Sequence, residues 1–144
     1  MKTICALVDI NIIIDGMAKR EPFAKLSHDI LTLCAQDKFM GYISAHTIPT
    51  AHYILRKQYS AVEVKNMLLY ICEILNIAGY TKEQVVDALN NDDFSDFEDC
   101  LQMESAQTIN ADYIITRNTN DFRGSAIPII SAEDFLKLFD DFRK

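Results

Sequence analysis

Residues 95–122 read SDFEDCLQMESAQTINADYIITRNTNDF, and this stretch decides the fold. Ser95, Asp96, Glu98 and Asp99 cluster polar and acidic side chains in the expected first turn of a helix that runs from Ser95 to Asn110. A short polar link leads into a strand, Tyr113 to Thr116. Arg117-Asn118-Thr119-Asn120-Asp121-Phe122 then forms a polar loop just past the strand's carboxyl end. A helix delivering the chain into a buried strand is half of a βαβ unit, so a parallel sheet is expected around it.

The rest of the chain repeats that alternation. Thr3 to Val8 is a continuous apolar run closed by Asp9, the pattern of a strand buried on both faces. Ile12 to Met17 reads as a short helical turn, and Phe23 to Gln36 as a helix entered at Pro22. Lys38 to Ile43 is a second strand, with Ser44 expected to cap a helix over 45–57 whose first turn tolerates Pro49. Ser60 with Glu63 predicts a capping box before a long amphipathic helix, and Thr81 with Gln84 predicts another for the helix over 81–89. Ile74 to Ala78 and Ile127 to Ile130 complete the strands, and a helix over 132–142 ends the chain. The expectation is one α/β domain over residues 1–144, with helices on both faces of a mostly parallel sheet.

Composition narrows the class. At 144 residues, with 49% apolar and 24% charged residues, the chain can bury a core unaided. Cys5, Cys34, Cys72 and Cys100 are far apart, without a CxxC pair or a zinc-finger spacing, so reduced thiols are expected. Asp9 interrupts the first apolar run too early for a signal peptide or a membrane span, which points to the cytoplasm and away from membranes. The net charge of −7 argues against avid, sequence-independent binding to nucleic acid through basic side chains. It leaves room for carboxylates neutralised by a bound cation.

Ligands of open α/β sheets bind beyond the carboxyl ends of the strands. Asp9 lies at one such end, and Asn118 and Asp121 lie just past another. Asp96 and Asp99 are three residues apart and share one helix face, which starts near the same rim. Asp9, Asp99 and Asp121 can therefore converge with Asp96 beside them. Charged oxygen ligands suit Mg²⁺ or Mn²⁺, and such ions activate water and stabilise the leaving oxygen in phosphodiester hydrolysis. Each residue also has a plainer reading. Asp96 and Glu98 favour the helix dipole, Ser95 and Glu98 form a capping box, Asp9 caps the next helix, and Asn118 and Asp121 are turn formers. Asp99 resists this treatment, because its stripe continues through Met103 and Ala106 and sets a carboxylate beside apolar packing.

Taken together, these segments resemble the PIN-domain ribonucleases, which include the VapC-like toxins of toxin–antitoxin pairs. The likeness rests on Leu7-Val8-Asp9-Ile10-Asn11, on Gly41-Tyr42-Ile43-Ser44-Ala45 leading to Tyr53-Ile54-Leu55-Arg56-Lys57, on Asp96-Phe97-Glu98-Asp99-Cys100-Leu101-Gln102, and on Ile114-Ile115-Thr116-Arg117-Asn118 with Asp121-Phe122. It runs nearly end to end. The resemblance implies a three-layer α/β/α PIN-like fold, a divalent metal, RNA cleavage, homodimerisation and inhibition by a small antitoxin protein. It puts Asp9, Asp99 and Asp121 on the family's acidic positions, with Asn118 and Asn11 as polar supports. One departure matters: many members carry a Glu where Thr50 stands here, and no carboxylate occurs between Asp37 and Glu63. Asp96 or Glu98 can substitute, or activity is reduced and the chain works as a binding scaffold for RNA or protein.

Three further residues stay open between roles. His46, near the end of the second strand, either contacts RNA or is a polar residue at a helix start. Arg117 either holds a phosphate or pairs with an acid to organise the loop. Arg56 and Lys57 either bind phosphate or complement a helix carboxyl end. His28 lies on a helix away from the rim, and packing explains it better than chemistry. An aspartyl-phosphate enzyme of the haloacid dehalogenase type expects a second Asp two residues after Asp9, where Asn11 stands instead. A receiver domain lacks its acidic pair for a similar reason.

Overall fold

The apolar run that opens the chain becomes the centre of the sheet. The computed structural model describes residues 3–139. In chain order the elements are β1 (Cys5–Val8), α1 (Ile10–Met17), α2 (Ala24–Ala35), β2 (Met40–Ser44), α3 (Thr47–Leu55), α4 (Ala61–Ile74), β3 (Asn76–Ala78), α5 (Lys82–Asn90), α6 (Phe97–Thr108), β4 (Tyr113–Ile115), a 3₁₀ turn (Thr119–Phe122), β5 (Ile129–Ile130) and α7 (Ala132–Lys137). The expected final helix reached Phe142, and its last positions lie outside the described residues. Among the described residues, no helix is long and apolar enough to cross a membrane.

The five strands among the described residues are all parallel, in the order β3-β2-β1-β4-β5. The chain moves from β1 to one side through β2 and β3, then returns to the other side through β4 and β5. Between β1 and β4 the two directions part, which opens a crevice at the strands' carboxyl ends. Alternation along β1 explains its unbroken hydrophobicity. Ala6 and Val8 face a core shared with α1, α2, α4 and α7, while Leu7 faces a second core with α5 and α6. Leu7 and Val8, both fully buried, each contribute about 1.5–3 kcal/mol. A third cluster, with Ile10, Ile14, Ala51, Leu55, Val64 and Leu68, ties α1 to α3 and α4. Helices thus cover both faces, giving the three-layer α/β/α arrangement.

Gly41 sits at a close approach: a Cβ there would press into Leu75 Cδ2 and stand 2.6 Å from the Cys34 Sγ, so the packing would have to shift. Among the described residues, Cys34, Cys72 and Cys100 form no disulfide, as expected of reduced thiols.

The capping boxes at Ser60–Glu63 and Thr81–Gln84 both form. Three other helix starts differ from expectation. α3 begins after His46, and the Ser44 hydroxyl bonds His46 Nδ1 (3.2 Å) and Thr47 Oγ1 (3.0 Å) instead of capping. α6 is capped by Asp96, whose Oδ1 accepts from the Asp99 N–H at 2.9 Å, so the Ser95–Glu98 box is not used. Asp96 stands three residues before Asp99, the spacing that reaches that orphan donor; Ser95 is one residue too early. α1 also starts two residues earlier than expected, immediately after Asp9.

Candidate metal centre and active site

Asp9 sits where β1 ends, in the crevice beside β4. It is almost wholly buried, and it occupies the N-cap position of α1 without making a side-chain capping bond. Its two oxygens are held by side chains from other elements. Oδ1 accepts from Gln102 Nε2 at 2.8 Å, and Oδ2 accepts from the Thr116 hydroxyl at 2.8 Å. Thr116 directly follows β4, and its oxygen also accepts the Asn118 N–H at 3.0 Å. The first strand's carboxylate is therefore fastened to both α6 and the loop after β4.

Asp99 reaches the same place from the first turn of α6. It is half-buried, and its Oδ1 lies 3.4 Å from Gln102 Nε2. The Gln102 amide thus stands between two carboxylates that are ninety residues apart in sequence, while its Oε1 accepts the Ile10 N–H at 3.1 Å. Asp121, in the 3₁₀ turn, is exposed at the rim, and its backbone N–H donates to the Asn118 carbonyl at 3.0 Å.

The electrostatics follow from this placement. Burial pushes the Asp9 carboxyl up; Gln102, Thr116 and, more weakly, the amides of Asn11 and Ile10 oppose it. Asp99 is pushed up to about 7 by burial first, then by the negative charges of Asp96, Asp9 and Asp121, with Gln102 pulling it down. These carboxylates raise one another's pKa, and a divalent ion is the kind of charge that relieves such repulsion. His46 belongs to the same rim. Burial lowers its pKa, and the charges of Glu98, Asp9 and Asp96 oppose that shift.

The donor set can be compared with what a metal needs. Among the described residues, no three His, Cys, Asp or Glu side chains are grouped tightly enough to ligate one ion. Asp9 and Asp99 meet on one amide, whereas Asp96 commits one oxygen to capping α6 and Asp121 stands at the rim. Two carboxylates fit Mg²⁺ or Mn²⁺, since Mg²⁺ keeps several waters and is bound through one or two carboxylates rather than an all-protein cage.

The remaining candidates are spread more widely. Asn11 is half-buried in the first turn of α1, next to Asp9. Arg117 pairs with an acid through one edge of its guanidinium and keeps part of the group exposed. Its Nε donates to Asp15 Oδ2 at 2.7 Å, and its guanidinium lies 4.2 Å from the centre of the Phe23 ring. Asp15 is fully buried in α1. Arg56 Nη1 donates to the Tyr59 carbonyl at 2.9 Å, and the Lys57 ammonium sits 4.8 Å from the Tyr53 ring centre. Both basic groups are engaged locally. His28 is 3.5 Å from the Thr32 hydroxyl on the exposed face of α2. Thr50 stands in the first turn of α3 and brings no carboxylate.

Sequence reasoning did not single out Gln102, Thr116 or Asp15 for any role. The available signals were spacing and context. Gln102 is three residues beyond Asp99 on one helix face, and Asp15 is a lone carboxylate in an isoleucine-rich helix.

Comparison with known proteins gives three kinds of likeness. The family model for the PIN domain matches residues 6–120. Among curated proteins, Ribonuclease VapC1 of Aquifex aeolicus (strain VF5) is 27% identical over 135 residues, spanning 89% of this chain and 90% of that protein. Among solved structures, VapBC2 from Rickettsia felis, bound to a DNA fragment from its promoter, superposes with a TM-score of 0.68 at 17% identity, covering 89% of this chain and 98% of that one. A toxin–antitoxin complex from Klebsiella pneumoniae gives a TM-score of 0.64 at 21% identity, over 88% and 97% of the two chains. At these identities the superpositions speak for the fold.

Proposed function

Because the chain belongs to the PIN-domain family, we propose that it is a divalent-metal-dependent endoribonuclease of the VapC-like toxin kind, hydrolysing phosphodiester bonds in RNA. The observation that carries this reading is the meeting of Asp9 and Asp99 on the Gln102 amide at the carboxyl rim of the sheet. A curated relative named as a ribonuclease, aligned over most of both chains, supports it.

Asp9 and Asp99 would hold Mg²⁺ or Mn²⁺, with Asp121 contributing from the rim and Asp96 flanking them. When bound, the cation would supply the positive charge that makes a water nucleophilic at neutral pH and offsets charge gathering on the leaving oxygen. The chain's own residues do the rest. Thr116 and Gln102 hold the Asp9 carboxylate in one orientation. Asn118 and Asp121 shape the loop against which the ribose-phosphate chain lies, and His46 and Asn11 border its approach. With a net charge of −7, affinity for RNA depends on the cation at the rim more than on a basic surface. Arg117 acts through Asp15, fixing the start of that loop.

The partners follow from the same reading: an RNA substrate, a second copy of the chain in a homodimer, and a small antitoxin protein, all in the cytoplasm. A toxin–antitoxin complex among the structural neighbours supports the antitoxin.

The test is cleavage of mixed structured RNAs in Mg²⁺, Mn²⁺ and EDTA, by the wild type and Asp99→Asn. Cutting that needs the cation and is lost in the variant is the expected result. Cutting that persists in EDTA would overturn the metal mechanism. A second reading, a PIN-like scaffold that binds RNA or protein without cutting, is favoured by Thr50 in place of a family Glu and by the absence of a three-carboxylate group among the described residues. It expects no cleavage under any of these conditions and no metal-dependent stabilisation.

A further inference from the structure

We infer that Gln102 is a positioning residue, one that presets the separation and orientation of the Asp9 and Asp99 carboxylates before a divalent cation arrives. The inference rests on the metal reading given above and assigns a job to a residue outside the ligand set. Gln102 is 1% exposed, and its amide nitrogen is turned to both carboxylates. Nε2 carries two hydrogens and faces Asp9 Oδ1 at 2.8 Å and Asp99 Oδ1 at 3.4 Å. Oε1 accepts the Ile10 N–H at 3.1 Å.

That third bond decides the orientation of the amide. A flipped amide would set Oε1 against two carboxylate oxygens and leave the N–H at the start of α1 without an acceptor, inside the protein. The anchored amide therefore keeps its nitrogen on the carboxylates. Two like charges brought together with no cation repel and tend to splay apart. A shared donor draws them together, so the ion meets an arranged pair and does not have to assemble one.

A neutral donor suits this task better than a charged one. A lysine or arginine at position 102 would also bridge the carboxylates, but its positive charge would occupy the place of the cation. The amide offers hydrogen bonds and leaves the full negative charge of Asp9 and Asp99 for the metal. Groups that orient ligands from behind in this way tune metal affinity by about 10–100-fold.

The test is a calorimetric titration of the full chain with Mn²⁺ at mildly alkaline pH. Gln102→Met keeps the length and bulk of the side chain but has no donor; its Mn²⁺ affinity is expected to fall by about 10–100-fold with an unchanged far-UV dichroism spectrum. Gln102→Asn keeps the amide on an arm one methylene shorter, which does not reach from the Ile10 N–H to both carboxylates. It is expected to weaken binding too, and it serves if the Met variant fails to fold. A merely structural Gln102 would lower the melting temperature in EDTA and leave the affinity of the folded protein alone. Affinity within about two-fold of wild type in either folded variant, beside clear binding by the wild type, overturns the inference and leaves the metal reading intact. A wild type that binds no Mn²⁺ overturns both.

Discussion

Replacing Arg117 by Met should be among the most damaging single changes outside the carboxylate cluster. Arg117 Nε and Asp15 Oδ2 are 2.7 Å apart, and the Asp15 side chain is wholly buried while that of Arg117 keeps 27% exposure. Asp15 Oδ1 is buried too and has no protein partner, so Arg117 is the one cation that faces this carboxylate among the described residues. Removing one partner of a buried pair leaves an uncompensated charge and costs about 3–5 kcal/mol. The solvent-facing side of Arg117 argues for the lower end of that range, and lost stacking on Phe23 adds about 0.5–1 kcal/mol. The asymmetry is the sharper part of the prediction. Asp15→Asn leaves a partly exposed guanidinium that water can reach, so it should cost less than Arg117→Met. Arg117 also opens the loop that carries Asn118 and Asp121, so RNA cleavage should fall with stability. Urea denaturation of both variants, followed by far-UV dichroism, measures the difference. A cost below about 1 kcal/mol for Arg117→Met, or a larger cost for Asp15→Asn, would mean that the pair behaves as an ordinary surface ion pair.

Three further outcomes follow from the same geometry. The Asp99 carboxyl, raised to about 7 in the folded protein, binds its proton more tightly there than in the unfolded chain. Its contribution to the stability of the metal-free protein is thus fully present below the ordinary carboxylate range and is lost as pH rises through about 7. Melting temperatures in EDTA should decline across that window in the wild type and stay flatter in Asp99→Asn; parallel curves would contradict this. Thr116→Val removes the donor to Asp9 Oδ2 and the acceptor for the Asn118 N–H, and urea titration should show a loss of about 1–3 kcal/mol. Asp96→Ala should cost about 0.5–2 kcal/mol through loss of the α6 cap, whereas exposed Glu98→Ala should stay within about 0.5 kcal/mol by the same assay.

Why some of this was legible in the sequence, and some not, has a physical explanation. The run before Asp9 showed a doubly buried strand because burial on both faces removes polar residues from both registers. The two capping boxes were legible because their donors and acceptors lie within one helical turn. The start of α6 was harder: Ser95 and Asp96 are both good caps, and only the geometry of the turn selects Asp96. Asp9, Asp99 and Asp121 could be singled out because carboxylates at strand ends and beside apolar stripes are unusual. Gln102 could not, since a glutamine in a helix ordinarily faces solvent, and its role exists only once β1 lies against α6. Asp15 and Arg117 are a similar case. Their separation of 102 residues hides a contact that only the packing of the loop on α1 creates.

A divalent ion shared by Asp9 and Asp99 is what the proposed chemistry needs most. Crystals soaked in Mn²⁺ and measured near the manganese absorption edge test this directly. The expected result is one anomalous peak about 2 Å from a carboxylate oxygen of Asp9 and of Asp99, with the Gln102 amide still holding both residues from behind. No peak there at millimolar Mn²⁺, or a peak held by other side chains, would mean that Asp9 and Asp99 do not form the metal site.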